Sequence, residues 1–376
     1  MFLAVRAACG GEEPKLNPKL LELEPNKWVR IHEQKDGDAV RFRRQAHGGS
    51  CFDSRRGRLI LFGCDTHGKD WINSPLIFDP VACSWSRMYP DDDFKTYSVN
   101  AEGLPVAGEK GNHPWTMHTF GTVVYDPARD EMVVCCYDEH MKPGRFTNAM
   151  AELWPKVKRH PTWTLKLDSG EWKPLECQAV HFFPFAAEYD SDRHVVVGCS
   201  SGGIWELCGE PREWKKVCSK GAQGWHNNMA YDSKNKVFVI FGAHMNSNDV
   251  IQYKPGGGES AYRLMPTPGP RPPKDQHNPM AFHPGVGRTV LLADRMPEGG
   301  EGGGKGGGGV TETWLYDAAA DSWARLEGAD LPFPCGMNYN MEYDPGHKVM
   351  LLVTGGYGQT TAVWALRIGD TTGDKK

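Results

Sequence analysis

His118 and His140 bracket the stretch "HTFGTVVYDPARDEMVVCCYDEH", two β-rich runs around a Pro/Asp turn. Residues equidistant from a hairpin turn face each other across the ladder. This pair centres on Arg129, inside the turn, so the two imidazoles are expected side by side. The same spacing recurs: His47 and His67 centre on Gly57, His226 and His244 on Asn235, and His277 and Arg295 on Val286. Two chemistries follow from these residue types. Neutral imidazoles have pKa values that a protein tunes towards working pH, so they move protons. Imidazoles with a nearby carboxylate also hold zinc-like ions. The candidate metal ligands are His47, Asp65 and His67 in one cluster, and His226 with His244 in another. A divalent cation, zinc or calcium, is the cofactor such residues allow.

Each bracketed stretch carries an aromatic residue followed, in most copies, by Asp. Counted from that motif, His47, His226 and His277 lie five residues before it, and His118 two residues further out. His67 and His140 share a level on the second strand. Seven of the fourteen histidines are thus expected on one face, together with Arg295, Asp65, Asp138, Asp294, Asn338 and Asn340.

The elements that must position them are repeats. Six copies of strand, tight turn, strand are visible: "SCFDSRRGRLILFGCD", "TVVYDPARDEMVVCCYD", "AAEYDSDRHVVVGCSS", "NMAYDSKNKVFVIFGAH", "PMAFHPGVGRTVLLADR" and "NMEYDPGHKVMLLVTGG". Asp-Pro, Asp-Ser and His-Pro with Gly, Asn or Asp nearby suit hairpin turns. A third strand and a short fourth strand follow five of the copies, the fourth carrying Trp85, Trp172, Trp214, Tyr262 or Trp323. Four antiparallel strands per repeat of about 40–60 residues is the pattern of a β-propeller blade. The sixth copy ends without its fourth strand, and "NKWVRIHE" around Trp28 is expected to supply it. The expectation is an all-β, six-bladed propeller over residues 25–376, preceded by a tail of residues 1–24. Residues 89–115 are an insertion between the first two copies. Residues 298–309, "EGGEGGGKGGGG", are a Gly-rich loop in the fifth.

These hairpins, with their "YDP" strands and Trp-bearing last strands, resemble a degenerate kelch-type propeller like the central domain of galactose oxidase. Gly355-Gly356 is the one surviving Gly-Gly at the end of a second strand. The His118–His140 pair also resembles the histidine pair of propeller-fold ulvan lyases. That second resemblance implies a polysaccharide lyase cleaving a uronate-containing glycan by β-elimination. It would need a Tyr and an Arg beside the histidines. The third copy has Phe182, Phe183, Phe185, Ser200 and Ser201 there instead, so the acid and carboxylate-neutralising residues are sought among Arg295, Arg145, Tyr339 and Tyr357. His118, His140, Arg295 and Tyr339 are then the candidate catalytic residues. Trp115, His47, His67, His226, His244, His277, Arg145 and Asn338 are the candidate substrate contacts, Trp115 as a sugar-stacking platform. The alternative is a non-catalytic binding propeller, a platform for protein or glycan with or without a metal.

Composition narrows the field. A net charge of −4 argues against nucleic-acid binding by bulk charge. No apolar run approaches the ~18 residues of a membrane span. Eleven cysteines include no Cys-x-x-Cys pair, and mostly free, buried thiols are expected. The start "MFLAVRAACGGEE" faintly resembles the end of a lipoprotein signal, so a secreted or periplasmic location is expected. The partner implied is an acidic polysaccharide, acted on by a monomer.

Overall fold

The computed structural model describes residues 15–38, 40, 42, 47–68, 71–145, 147–182, 186–222, 226–242, 249–273, 279–295, 309–356 and 359–369. Within them the chain forms six four-stranded antiparallel sheets and one three-stranded sheet, with a single four-residue α-helix at Pro18–Leu21. The first strands of the six larger sheets are Gly49–Asp53, Val123–Asp126, Ala187–Asp190, Asn228–Asp232, Met280–His283 and Met341–Asp344. Each neighbours the next in that order, and the sixth neighbours the first. The architecture is a β-propeller.

The repeated Asp has a local task. Its buried carboxylate closes the hairpin turn as an Asx turn. Asp126 Oδ1 accepts from the amides of Ala128 (3.0 Å) and Arg129 (3.2 Å). Asp190, Asp232 and Asp344 each do the same with two amides of their own turns. In the fifth sheet His283 takes the place of Asp, and its Nδ1 accepts from Val286 N at 3.3 Å. The tryptophans of the fourth strands, Trp28, Trp85, Trp172, Trp214 and Trp323, are all buried, and Tyr262 in the fourth sheet is half-buried.

The N-terminal strand Lys27–Glu33 pairs antiparallel with Gln359–Arg367, giving the last sheet its fourth strand. Trp28 sits opposite Leu366, and its Nε1 donates to Thr313 Oγ1 of the fifth sheet at 3.0 Å. Residues before that strand are also packed. Leu20 is buried in a core shared by the first and last sheets, and Asn17 N donates to His347 Nε2 at 2.9 Å.

The three-stranded sheet, Ser98–Val99, Pro105–Ala107 and His113–Pro114, is formed by the insertion between the first two copies. It has a small core of its own, in which Tyr97, Ala107 and Trp115 pack with Met141 and Met150. The ten described cysteines are all free, with Cys51, Cys64, Cys135, Cys136, Cys199 and Cys218 buried. Among the described residues no helix is long and apolar enough to cross a membrane. Most of the Gly-rich run 298–309 lies outside the described residues.

Candidate functional site

Four histidines from the first two sheets stack on one rim. His118 and His140 have ring centres 4.0 Å apart, His47 and His118 4.5 Å, His67 and His118 4.8 Å, and His47 and His67 5.3 Å. The adjacency read from the hairpin spacing is present, but not across the ladder itself. The inner strand begins at Val123 and the second ends at Val134, so both His118 and His140 stand in loops beyond it. His140 lies on a 3₁₀ turn, Glu139–Met141, whose Met141 is anchored in the small core of the insertion.

The loop carrying His118 lies along the loop that ends the second strand of the first sheet. Cys64 N donates to Met117 O at 3.0 Å. Thr119 N and Phe120 N both donate to His47 O, at 3.0 and 2.9 Å. Gly49 makes this approach possible, because a Cβ there would lie 2.1 Å from the Phe120 carbonyl oxygen.

A shared backbone feature aims the side chains. His47, Phe120 and His226 each stand five residues before their aromatic-Asp motif. Each adopts the left-handed region, with φ of +66°, +47° and +64°. Non-glycine residues rarely take this conformation, and it concentrates at functional sites. The Phe120 ring is the hub. Its centre lies 5.4 Å from His47, 5.6 Å from His118, 5.8 Å from His140, 5.3 Å from Tyr339 and 6.3 Å from His226. On the far side of Phe120, His226 Nδ1 and Tyr339 Oη form a hydrogen bond of 2.5 Å.

Burial first, and neighbouring charge second, favour the neutral form of several of these imidazoles. Burial pushes His118 well below its ordinary value, and the neighbouring imidazoles push it further. Burial and the charge of Arg145 bring His140 down to about 2, burial brings His226 down to about 4, and His67 is lowered for the same reasons as His140. Arg145 is therefore the cation beside the cluster. It pairs with Glu139, which also pairs with His181. Asp65 Oδ1 accepts from His67 N at 3.1 Å and lies 3.8 Å from His47 Nε2 and 3.7 Å from His118 Nε2.

The nitrogens of His47, His67 and His118 lie within 4.8 Å of one another. Around a tetrahedral zinc with Zn–N of about 2.0–2.1 Å, ligand nitrogens are roughly 3.3 Å apart. The three rings would close inward by about an ångström to share one ion. His118 Nε2 accepts from Thr66 N at 2.9 Å, which places the ring proton on Nδ1. Ligation through Nε2 would exchange that bond for the metal. His67 is the exposed member, and His47 and His118 are buried.

The remaining sequence candidates are distributed. Trp115 is buried, and its Nε1 donates to Ser98 O (3.1 Å) and Val106 O (2.9 Å), so it holds the insertion together from inside and presents no stacking face to the rim. Arg295 pairs with Glu312 at 2.5 Å in the fifth sheet. Asn338 donates to Val353 O and accepts from Asn340 N, both at 2.8 Å. Asp294 ties Thr311, Cys335 and Gly336. His244, His277 and Tyr357 lie outside the described residues. The sequence reading missed Phe120, Thr66, Glu139 and His181. Phe120 carried a usable signal, since it shares the motif offset of His47 and His226.

No protein-family model and no curated protein matches the chain. Among solved structures, a Bacteroides thetaiotaomicron protein of unknown function is 10% identical, aligned over 90% of this chain and 75% of its own, with a TM-score of 0.53. Hydrazine synthase of Kuenenia stuttgartiensis is 11% identical over 90% of this chain and 91% of its own, with a TM-score of 0.48. Oligogalacturonate lyase of Vibrio parahaemolyticus is 11% identical over 90% and 96%, with a TM-score of 0.42. At these identities the likeness concerns the fold alone.

Proposed function

We propose that this chain is a polysaccharide lyase acting on a uronate-containing glycan at the histidine-rich rim, with a divalent cation held by His47, His67 and His118. We read the ring as six kelch-like blades, the three-stranded sheet being an insertion. One observation carries the functional reading. A trio of imidazoles able to share a cation and a hydrogen-bonded His226–Tyr339 pair meet around one ring, Phe120. β-Elimination needs a cation on the uronate carboxylate, a base for the C5 proton and an acid for the leaving oxygen. A cation held by the trio would neutralise the carboxylate, and Arg145 adds positive charge beside it. His226 is kept neutral by burial, so it can accept a proton through the Tyr339 hydroxyl. The C5–H bond breaks as its proton passes to the Tyr339–His226 pair, the C4–C5 double bond forms, and the C4–O bond breaks as its oxygen takes a proton back from that pair. The product absorbs in the ultraviolet. Incubation of the full chain with a panel of uronate polysaccharides, with zinc, manganese or calcium, is expected to generate that absorbance. If no polysaccharide is cut under any metal, the reading fails.

A binding-only propeller is the second reading. The observation that favours it is burial, since His118 and His140 are each only 2% exposed. Retention of an intact uronate glycan on immobilised protein, without cleavage, would support it.

A further inference from the structure

A second polar cavity lies among the inner strands, with no histidine among its described lining residues. A cavity of about 300 Å³ is bounded by the first strands of all six larger sheets. The residue just before each aromatic-Asp pair is, in chain order, Cys51, Val124, Glu188, Ala230, Ala281 and Glu342. Four of the six are the small or apolar residues that such a packed collar calls for. The other two are glutamates, on the third and sixth sheets, which occupy opposite places in the cycle of neighbours. Both line the cavity, with Ser50 and Asn228 beside them.

Glu342 Oε1 accepts from Ser50 Oγ at 2.7 Å, and Glu188 Oε1 accepts from Tyr189 N at 2.7 Å. Among the described residues no Lys, Arg or His lines the cavity to balance them. Asn228 points to a missing partner independently of the acids. It is 4% exposed, it lines the same cavity, and its Nδ2 has no hydrogen-bond partner among the described residues. A buried amide without partners is costly, and such a group in a native structure calls for a bound water, ion or ligand. A half-turn about χ2 exchanges the amide's nitrogen and oxygen, which would turn the oxygen to a cation in the cavity.

We infer that this cavity is a binding site for a hard divalent cation of the calcium type, held by Glu188 and Glu342 with Ser50 Oγ and the Asn228 amide oxygen completing an all-oxygen set. Oxygen-only ligands select calcium or magnesium over zinc, and calcium tolerates the more flexible shell that ligands drawn from separate sheets provide. The charges of the chain alone do not favour two carboxylates here. Burial pushes Glu188 up to about 7 and Glu342 up to about 8, the charge of Glu188 adding to the push on Glu342. A dication supplies the missing charge and links opposite sides of the ring. The site would act as a structural pin, and Tyr339, which contacts Phe120 at the rim, also lines this cavity.

The test uses the full chain stripped with a chelator and titrated with calcium chloride, by calorimetry and by thermal melting. Wild type is expected to bind one calcium ion at this site and to melt several degrees higher in its presence. Glu188→Gln and Glu342→Gln are each expected to lose that binding at least tenfold and to lose the calcium-dependent rise in melting temperature. Lys254→Ala, an exposed position outside both sites, is expected to keep both. Each Gln variant removes a buried acid, so without calcium it should melt at or above wild type, which separates lost binding from lost folding. Calcium binding of equal strength in wild type and both Gln variants overturns the inference. So does the absence of any calorimetric binding by wild type at millimolar calcium.

Discussion

The rings of His118 and His140 lie 4.0 Å apart, centre to centre, and both are buried. Protonating either would place a charge against a neutral neighbour, beside Arg145, with little water to solvate it. That relationship gives acid sensitivity a definite sign. A histidine whose folded pKa is depressed leaves stability complete above its unfolded value near 6.5. Stability is then lost as pH falls, because the unfolded chain binds the proton first. His140 at about 2, and His226 and His283 at about 4, all lose in this direction. In chelator-treated protein each contributes about 1.4 kcal/mol per pH unit below roughly 6.5 until its folded pKa is reached. Thermal melts at pH 7.5 and pH 5 are expected to differ by many degrees, and His140→Gln should shrink the gap. Identical melts at both pH values would refute the neutral cluster.

The fifth turn offers a cleaner version. His283 does there what Asp does elsewhere. His283→Asp is expected to keep the fold at pH 7.5 and to improve stability at pH 5, since the replacement removes a base that acid would charge. A loss of more than about 1 kcal/mol at pH 7.5, read from urea unfolding, would show that the turn needs the imidazole.

Ring closure makes a prediction about the N-terminal strand. Trp28 is buried against the fifth and sixth sheets and bonded to Thr313. Trp28→Ala is expected to cost about 3–5 kcal/mol, measured by urea unfolding. A cost below about 1 kcal/mol would mean that the strand only decorates an already closed ring.

Tyr339→Phe removes one hydroxyl and its hydrogen bond to His226 while keeping the contact with Phe120. The melting temperature should change little. Lyase turnover on the responsive polysaccharide should fall by about 10²-fold or more, as for loss of a positioned proton donor or acceptor. Unchanged turnover would remove the pair from the chemistry.

Much of the fold was legible because propeller repeats print their strands, turns and outer aromatics at a fixed offset. The Asp of each motif signals the turn it caps, and Trp28 signals the missing strand. The rim was legible in part for the same reason. Hairpin spacing paired His47 with His67 and His118 with His140, and motif offset set His226 at the level of His47. What sequence periodicity does not encode is the path of irregular loops. Trp115 looked like a platform because it precedes His118, but the insertion folds back and buries it. His140 looked like the end of a strand, but it stands on a separate turn tied to the insertion. Phe120 was overlooked because an aromatic ring at a histidine level reads as core. The Glu188–Glu342 relation needs the closed ring, since the two residues are 154 positions apart in the chain but hold the same place in their repeats.

The central claim is that His47, His67 and His118 close on one cation. Calorimetric titration of the chelator-stripped full chain with zinc tests it directly. One zinc site per chain is expected, lost in each of His47→Ala, His67→Ala and His118→Ala and retained in Glu342→Gln. Zinc affinity that is the same in wild type and in His118→Ala, or no zinc binding by wild type, would contradict it.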